Sequence, residues 1–179
     1  MIGAITAGFL GGAATPLLGD YESIATYTLS SAQNTITFSS IPQTYTHLQI
    51  RGIFNTSAGD LLIARVNNAT TNYSYHSVYG NGTSAAAGGG GGASGMYVGD
   101  PSVATSNFAG VVLDVLDYTN ANKNKTFRAL AGYDANGSGT IRLWSGMYYG
   151  ATTAIDRIDL VTSSSNMLQY SSFALYGVK

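Results

Sequence analysis

Arg142-Leu143-Trp144-Ser145-Gly146-Met147-Tyr148-Tyr149, Ile155-Asp156-Arg157-Ile158-Asp159-Leu160-Val161 and Ser172-Phe173-Ala174-Leu175-Tyr176-Gly177-Val178 follow one another in the last third of the chain. Each alternates side chains at the period of a β-strand, and Gly, Ser and Asn punctuate the gaps between them. Thr126 to Tyr133 precedes them as a further strand. In the closing segment Phe173 and Leu175 fall on one face and Ala174 and Tyr176 on the other. A strand this apolar on both sides has to be covered by something.

Upstream the same period continues. Glu22 to Leu29, Thr35 to Phe38, His47 to Arg51, Asp60 to Val66, Tyr73 to Tyr79 and Met96 to Val98 read as strands. Within His47–Arg51, Leu48 and Ile50 turn inward and His47, Gln49 and Arg51 outward. Phe108 to Tyr118 has Val111, Leu113 and Val115 on one face and Val112, Leu116 and Tyr118 on the other. That pattern fits a strand central in a sandwich or buried at a subunit contact. Turn residues cluster at 67–72, 120–125 and 134–139, and no window shows a capped amphipathic helix. About ten short strands joined by such turns predict an all-β fold, an antiparallel two-sheet sandwich of jelly-roll type, with a barrel as the alternative.

Composition narrows the classes. A chain of 179 residues suits one domain plus an arm, and the absence of cysteine removes thiol chemistry, disulfides and soft metal ligation. Charged residues make up only 9% of the chain, against about 25% in ordinary soluble domains. Few charges then need desolvating when copies meet, which suits a protein that packs in a large assembly, or an extracellular β-protein. A net charge of −1 without a basic stripe argues against nucleic acid as a partner.

Residues 1–20 read as an N-terminal anchoring arm and 21–179 as the sandwich domain. The first 19 residues carry no charge and include five glycines and Pro16. They lack the basic flank of a signal peptide and the continuous apolar run of a membrane span, so no membrane partner is expected. Ile2, Ile5, Phe9, Leu17 and Leu18 are the residues that would dock against another subunit or a larger partner; a free tail and a targeting segment are the alternatives. Gly80 to Gly95, with five consecutive glycines at 88–92, reads as a long flexible loop, since such tracts have the most backbone freedom to lose on ordering.

Candidate chemistry is sparse. Asp134-Ala135-Asn136-Gly137-Ser138-Gly139 matches the start of a calcium loop, with Asp134, Asn136 and Ser138 as oxygen ligands. The twelfth position is Ser145 instead of Glu and the flanks are strands, so a hairpin turn with Asn136-Gly137 at positive φ competes with it. His47 and His76 are the only histidines, and no Gly-x-Ser-x-Gly elbow accompanies them. Asp114, Asp117, Asp156 and Asp159 lie in strands, Asp114 between Leu113 and Val115, where an ion pair with Arg128 or Arg142 is the ordinary explanation. No cofactor is implied and no enzyme activity is expected. Thirteen tyrosines are many for this length. Tyr75, Tyr79, Tyr97, Trp144, Tyr148 and Tyr149 could stack on a glycan or fill a core or subunit interface.

These residues also resemble a known family. Met1-Ile-Gly-Ala-Ile-Thr-Ala-Gly8, Tyr21-Glu-Ser-Ile-Ala25, Phe38-Ser-Ser-Ile-Pro-Gln-Thr-Tyr-Thr-His-Leu48, Asn72-Tyr-Ser-Tyr-His76, Asp117-Tyr-Thr-Asn-Ala-Asn-Lys-Asn-Lys-Thr126, Trp144-Ser-Gly146, Thr153-Ala-Ile155 and Ser172-Phe-Ala-Leu-Tyr-Gly177 look like those of small virion proteins of tailed bacteriophages. The resemblance spans nearly the whole chain and rests on turns and strand ends. It implies a noncatalytic virion component, a homotrimer that decorates the capsid or forms part of a head or tail fibre, in contact with other virion proteins. The tyrosine-rich segments suggest the alternative of a receptor-binding or carbohydrate-binding module facing a host surface glycan.

Overall fold

A computed structural model of the chain describes residues 19–101 and 106–179. Among these residues there are twelve strands and no helix. In order they are β1 (Tyr21–Thr28), β2 (Thr35–Phe38), β3 (His47–Phe54), β4 (Leu62–Val66), β5 (Tyr73–Gly80), β6 (Ala85–Ala93), β7 (Met96–Gly99), β8 (Ala109–Leu116), β9 (Lys125–Asp134), β10 (Gly139–Tyr148), β11 (Ile158–Thr162) and β12 (Ser172–Val178). They form an eight-stranded sheet, β1-β12-β3-β8-β9-β10-β5-β6, and a four-stranded sheet, β2-β11-β4-β7. All pairings are antiparallel.

The sandwich read from the alternation is the one that forms, with no closed barrel. Set aside β5, β6, β9 and β10, and number the other eight strands afresh along the chain. The sheets then read 1-8-3-6 and 2-7-4-5, the order of a jelly roll. The four strands set aside are two inserted hairpins, β5–β6 and β9–β10, that pair with each other and widen one sheet.

Inward-facing residues build the core in registered rows. Trp144, Ala129, Leu113, Ile50 and Leu175 stand opposite one another on β10, β9, β8, β3 and β12, and none is more than 2% exposed. The small Ala129 beside Trp144 gives the indole its room. Phe38, Leu62, Val66, Met96 and Leu160 of the smaller sheet close over the same core. Gly52 lies opposite Phe173, and a Cβ there would sit 2.3 Å from the Phe173 ring, so the ring lies across bare backbone.

Three expectations need correcting or narrowing. The Gly80–Gly95 segment is not a loop: Ala85–Ala93 forms β6, the edge strand paired to β5 from Gly80↔Ala85 to Tyr73↔Ala93. Its ladder is supplied by β5, and the ring of Tyr75 lies over Gly90, so pairing and packing overrule the freedom of glycine. The turn between them is held by Asn81, whose side-chain oxygen accepts from the Thr83 and Ser84 amides at 3.1 and 2.8 Å, with Gly82 at φ 90°. The expected strand Ile155–Val161 starts only at Ile158, because the Ile155 amide bonds the Tyr118 carbonyl instead. The arm residues Ile2, Ile5, Phe9, Leu17 and Leu18 lie outside the described residues.

Tyr73 gives the core a pH signature. It is fully buried, its hydroxyl accepts from the Val66 amide at 2.8 Å, and burial pushes its ionisation up to about 12. The unfolded chain releases this proton near pH 10 whereas the folded chain holds it, so stability is intact below pH 10 and declines as pH rises towards 12. Denaturation series at pH 9, 10, 11 and 12 should show Tyr73 contributing about 1.4 kcal/mol of loss per pH unit within that window. Tyr73→Phe should remove that share of the slope and cost about 1–3 kcal/mol at neutral pH through the orphaned Val66 amide.

Candidate functional site

The outward face of the eight-stranded sheet departs most from an ordinary surface. Because the strands are in register, its side chains line up in rows across the sheet. One row runs Ala87, Val78, Leu143, Leu130, Val112, Arg51, Ala174 and Thr26 from β6 to β1. Its four large apolar members, Val78, Leu143, Leu130 and Val112, are 54%, 48%, 46% and 37% exposed. The neighbouring row contains Gly80, Ile141, Gly132, Gly110 and Ile53, with both isoleucines more than half exposed. A ridge of branched side chains therefore lies beside a trough.

The trough is part of a groove of about 960 Å³. Gly110 and Gly132 expose bare backbone to it, Val112, Leu130, Ile53 and Ile141 wall it, and Arg51 and Tyr176 line it towards β12. The two glycines are there for different reasons. A Cβ on Gly132 would lie 2.5 Å from the Thr140 carbonyl oxygen, so the fold demands glycine. A Cβ on Gly110 would meet nothing within 4 Å. At Gly110 the missing side chain serves the shape of the surface, since glycine in a strand interior costs roughly 0.5–1 kcal/mol relative to alanine.

On the other side of the ridge lies a polar row: His76, Ser145, Arg128, Asp114, Gln49 and Tyr176. Asp114 stands opposite Arg128, but its carboxylate accepts from Gln49 Nε2 at 2.7 Å, and Gln49 Oε1 in turn accepts from Arg51 Nε at 2.5 Å. The Arg51 guanidinium lies 5.2 and 5.6 Å from the ring centres of Tyr21 and Tyr176. His76 neighbours Ser145, yet Asp114 is two strands beyond Ser145 and engaged with Gln49, so no relay from carboxylate to imidazole to hydroxyl is assembled there. His47 lies elsewhere, its Nδ1 accepting from the Asp117 amide at 2.9 Å. Lys123 bonds the Asp117 carboxylate and holds it below the usual range. Asp159 is held by Arg157 at 2.8 Å. Among the described residues no three His, Cys, Asp or Glu side chains gather as a metal site.

The six aromatics singled out from the sequence do not share a platform. Trp144 is 1% exposed and belongs to the core, so it cannot stack on a ligand from solvent; alternation places it on the inner side of β10. Tyr148 packs on Tyr73 at 4.9 Å between ring centres and Tyr75 on Tyr97 at 4.8 Å. Tyr79 lies under the Arg142 guanidinium at 4.3 Å. Arg142 also pairs with Asp100 at 3.3 Å, where burial raises the carboxyl and the guanidinium opposes the shift. Only Tyr149 is broadly open to solvent. Asp134–Gly139 forms the β9–β10 turn, with Asn136 and Gly137 at φ 59° and 90°, and the Asp134 carboxylate accepts from the Gly137 amide at 3.1 Å.

Comparison with protein-family models, curated proteins and solved structures gave no match. What stands out is thus a surface, the ridge and trough; the ridge alone had a signal in the sequence, the apolar positions Val112, Leu130 and Leu143.

The two glycines should separate in urea denaturation. Gly132→Ala should lose about 1–3 kcal/mol because the Thr140 backbone has to move. Gly110→Ala should match or exceed the parent. Equal losses at both positions would mean that the trough is required by the fold. Trp144→Ala should cost about 3–5 kcal/mol, as for any large core side chain.

Proposed function

We propose that the protein is a noncatalytic structural protein of a bacteriophage particle, a capsid decoration or head or tail fibre subunit that acts in an assembly. The observation that carries the reading is the apolar ridge that no other described residue covers on the outward face of the larger sheet. Contiguous exposed apolar surface on a folded domain marks a contact yet to be made. A chain with 9% charged residues is suited to making it, because little charge is desolvated as surfaces close. The candidate acid, base and nucleophile side chains are dispersed or engaged in structural bonds, which supports a noncatalytic role. A jelly roll by itself names no function, since the architecture serves both viral capsid and lectin domains. On this reading residues 1–20 tether the subunit to another virion protein.

The second reading, a receptor-binding or carbohydrate-binding module, has the groove in its favour: Arg51, Asn81 and Tyr176 line it with polar groups beside apolar walls. It loses Trp144, which is core.

The test is where the protein resides. Antibodies against the folded domain should label the surface of purified particles of the virus whose genome encodes the chain. A version without residues 1–18, which keeps every described strand, should fold but fail to attach to those particles. Particles that lack the protein would overturn the structural role. Binding on a glycan array that disappears with Arg51→Ala would shift the assignment to the module.

A further inference from the structure

We infer that the ridge and trough form a self-complementary seam, and that the partner which covers this face is a second copy of the same chain. Ridge and trough are neighbouring rows on the same strands: Leu130 precedes Gly132 on β9, Gly110 precedes Val112 on β8, and Val78 precedes Gly80 on β5. Consider a two-fold axis lying in the plane of contact, along the row direction, midway between the rows. It brings Leu130 of a second copy over Gly132, Val112 over Gly110 and Val78 over Gly80, and does the same in reverse; on β10 and β3 it sets Leu143 over Ile141 and the Arg51 stem over Ile53, contacts with no glycine to receive them, so the glycine sockets lie on β8, β9 and β5 alone. A two-fold interface requires such a patch, one that is its own complement.

Charge obeys the same operation. Counting outward from the axis along β9, the position facing Arg128 is Asp134 of the other copy, two residues beyond Gly132. Both side chains are exposed on the outward face, and Arg128 is the one arginine with no hydrogen bond or ion pair among the described residues. Two Arg128–Asp134 contacts would then flank the apolar seam symmetrically. The size is also adequate. Eight strands about 4.8 Å apart and about eight residues long at 3.4 Å each present on the order of 1,000 Å², against the roughly 800 Å² per partner of a standard interface.

Gly110 makes this testable without unfolding the protein, because a side chain there enters open space. The inference draws on the same ridge that carries the virion assignment, but its test is solution pairing whereas that of the assignment is presence on particles, so the two failures are distinguishable. Solution mass of the full chain by light scattering over about 1–100 µM, the range in which a micromolar pair is populated, should show a dimer. Gly110→Leu should weaken pairing at least tenfold with unchanged thermal unfolding of the monomer. Arg128→Glu should also weaken it, and Arg128→Glu combined with Asp134→Arg should restore most of the loss. A monomer or a trimer as the largest species would overturn the inference. So would a dimer that tolerates both Gly110→Leu and Leu130→Asp, or a charge swap that restores nothing.

Discussion

The ladder between β10 and β5 holds the architecture together. Eight residue pairs, from Ile141↔Gly80 to Tyr148↔Tyr73, join segments more than sixty positions apart, each from a different inserted hairpin. Without it β5 and β6 would be an isolated hairpin, marginal in water, and the jelly roll would end at the β9–β10 hairpin. With it, the larger sheet gains a second half that the four-stranded sheet does not match strand for strand. Closing such a distant pair costs loop entropy, which grows only slowly with separation, whereas every added pair satisfies backbone groups on both strands.

That asymmetry explains why the two faces of the sheet differ. Inward rows are fixed by the opposing sheet, and residues such as Leu113, Phe127 and Leu175 are wholly removed from water. Outward rows have no opposing sheet among the described residues, yet on β8, β9 and β10 they keep Val112, Leu130 and Leu143 where a solvent-facing sheet would carry polar side chains. Burial of an aliphatic side chain stabilises by roughly 1.5–3 kcal/mol, so leaving several exposed forgoes a sizeable contribution to a single chain. The polar row at Arg128, Asp114 and Gln49 shows that the outward face is not uniformly apolar, and on β8 and β9 the change occurs within two residues along the strand.

Much of this was legible in the sequence. Alternation through Phe108–Tyr118 located β8, and apolar residues on both of its faces fitted either a strand central in a sandwich or one at a subunit contact; β8 lies in the middle of the larger sheet. Strand order was not legible, because pairing β5 with β10 depends on contacts between distant segments. The glycine tract was misread because composition speaks for an isolated chain, whereas β6 borrows its ladder from β5. Asn81-Gly82 was the available signal: an Asn-Gly pair directly after a strand marks a hairpin, and a hairpin needs a second arm. Trp144 sat in a strand rich in aromatics and shares its parity with Arg142, so alternation of hydrophobicity turned it outward in favour of Ile141, Leu143 and Met147; the structure reverses this, burying Trp144 and exposing those three. The glycine trough had no sequence signal at all, since Gly110 and Gly132 look alike until their neighbours are known.

The edge strand β6 has one more consequence. Register in a sheet is normally enforced by side chains that fit only one face, and a strand with five successive glycines has none to enforce it. Its alignment is set from outside, by the Asn81 turn at one end and by the irregular pairing near Tyr73 and Tyr75 at the other. Between those two clamps the tract is interchangeable with itself. A glycine gained or lost in the tract would leave no side chain on the wrong face, so the change would be taken up at the irregular pairing between Tyr73 and Tyr75.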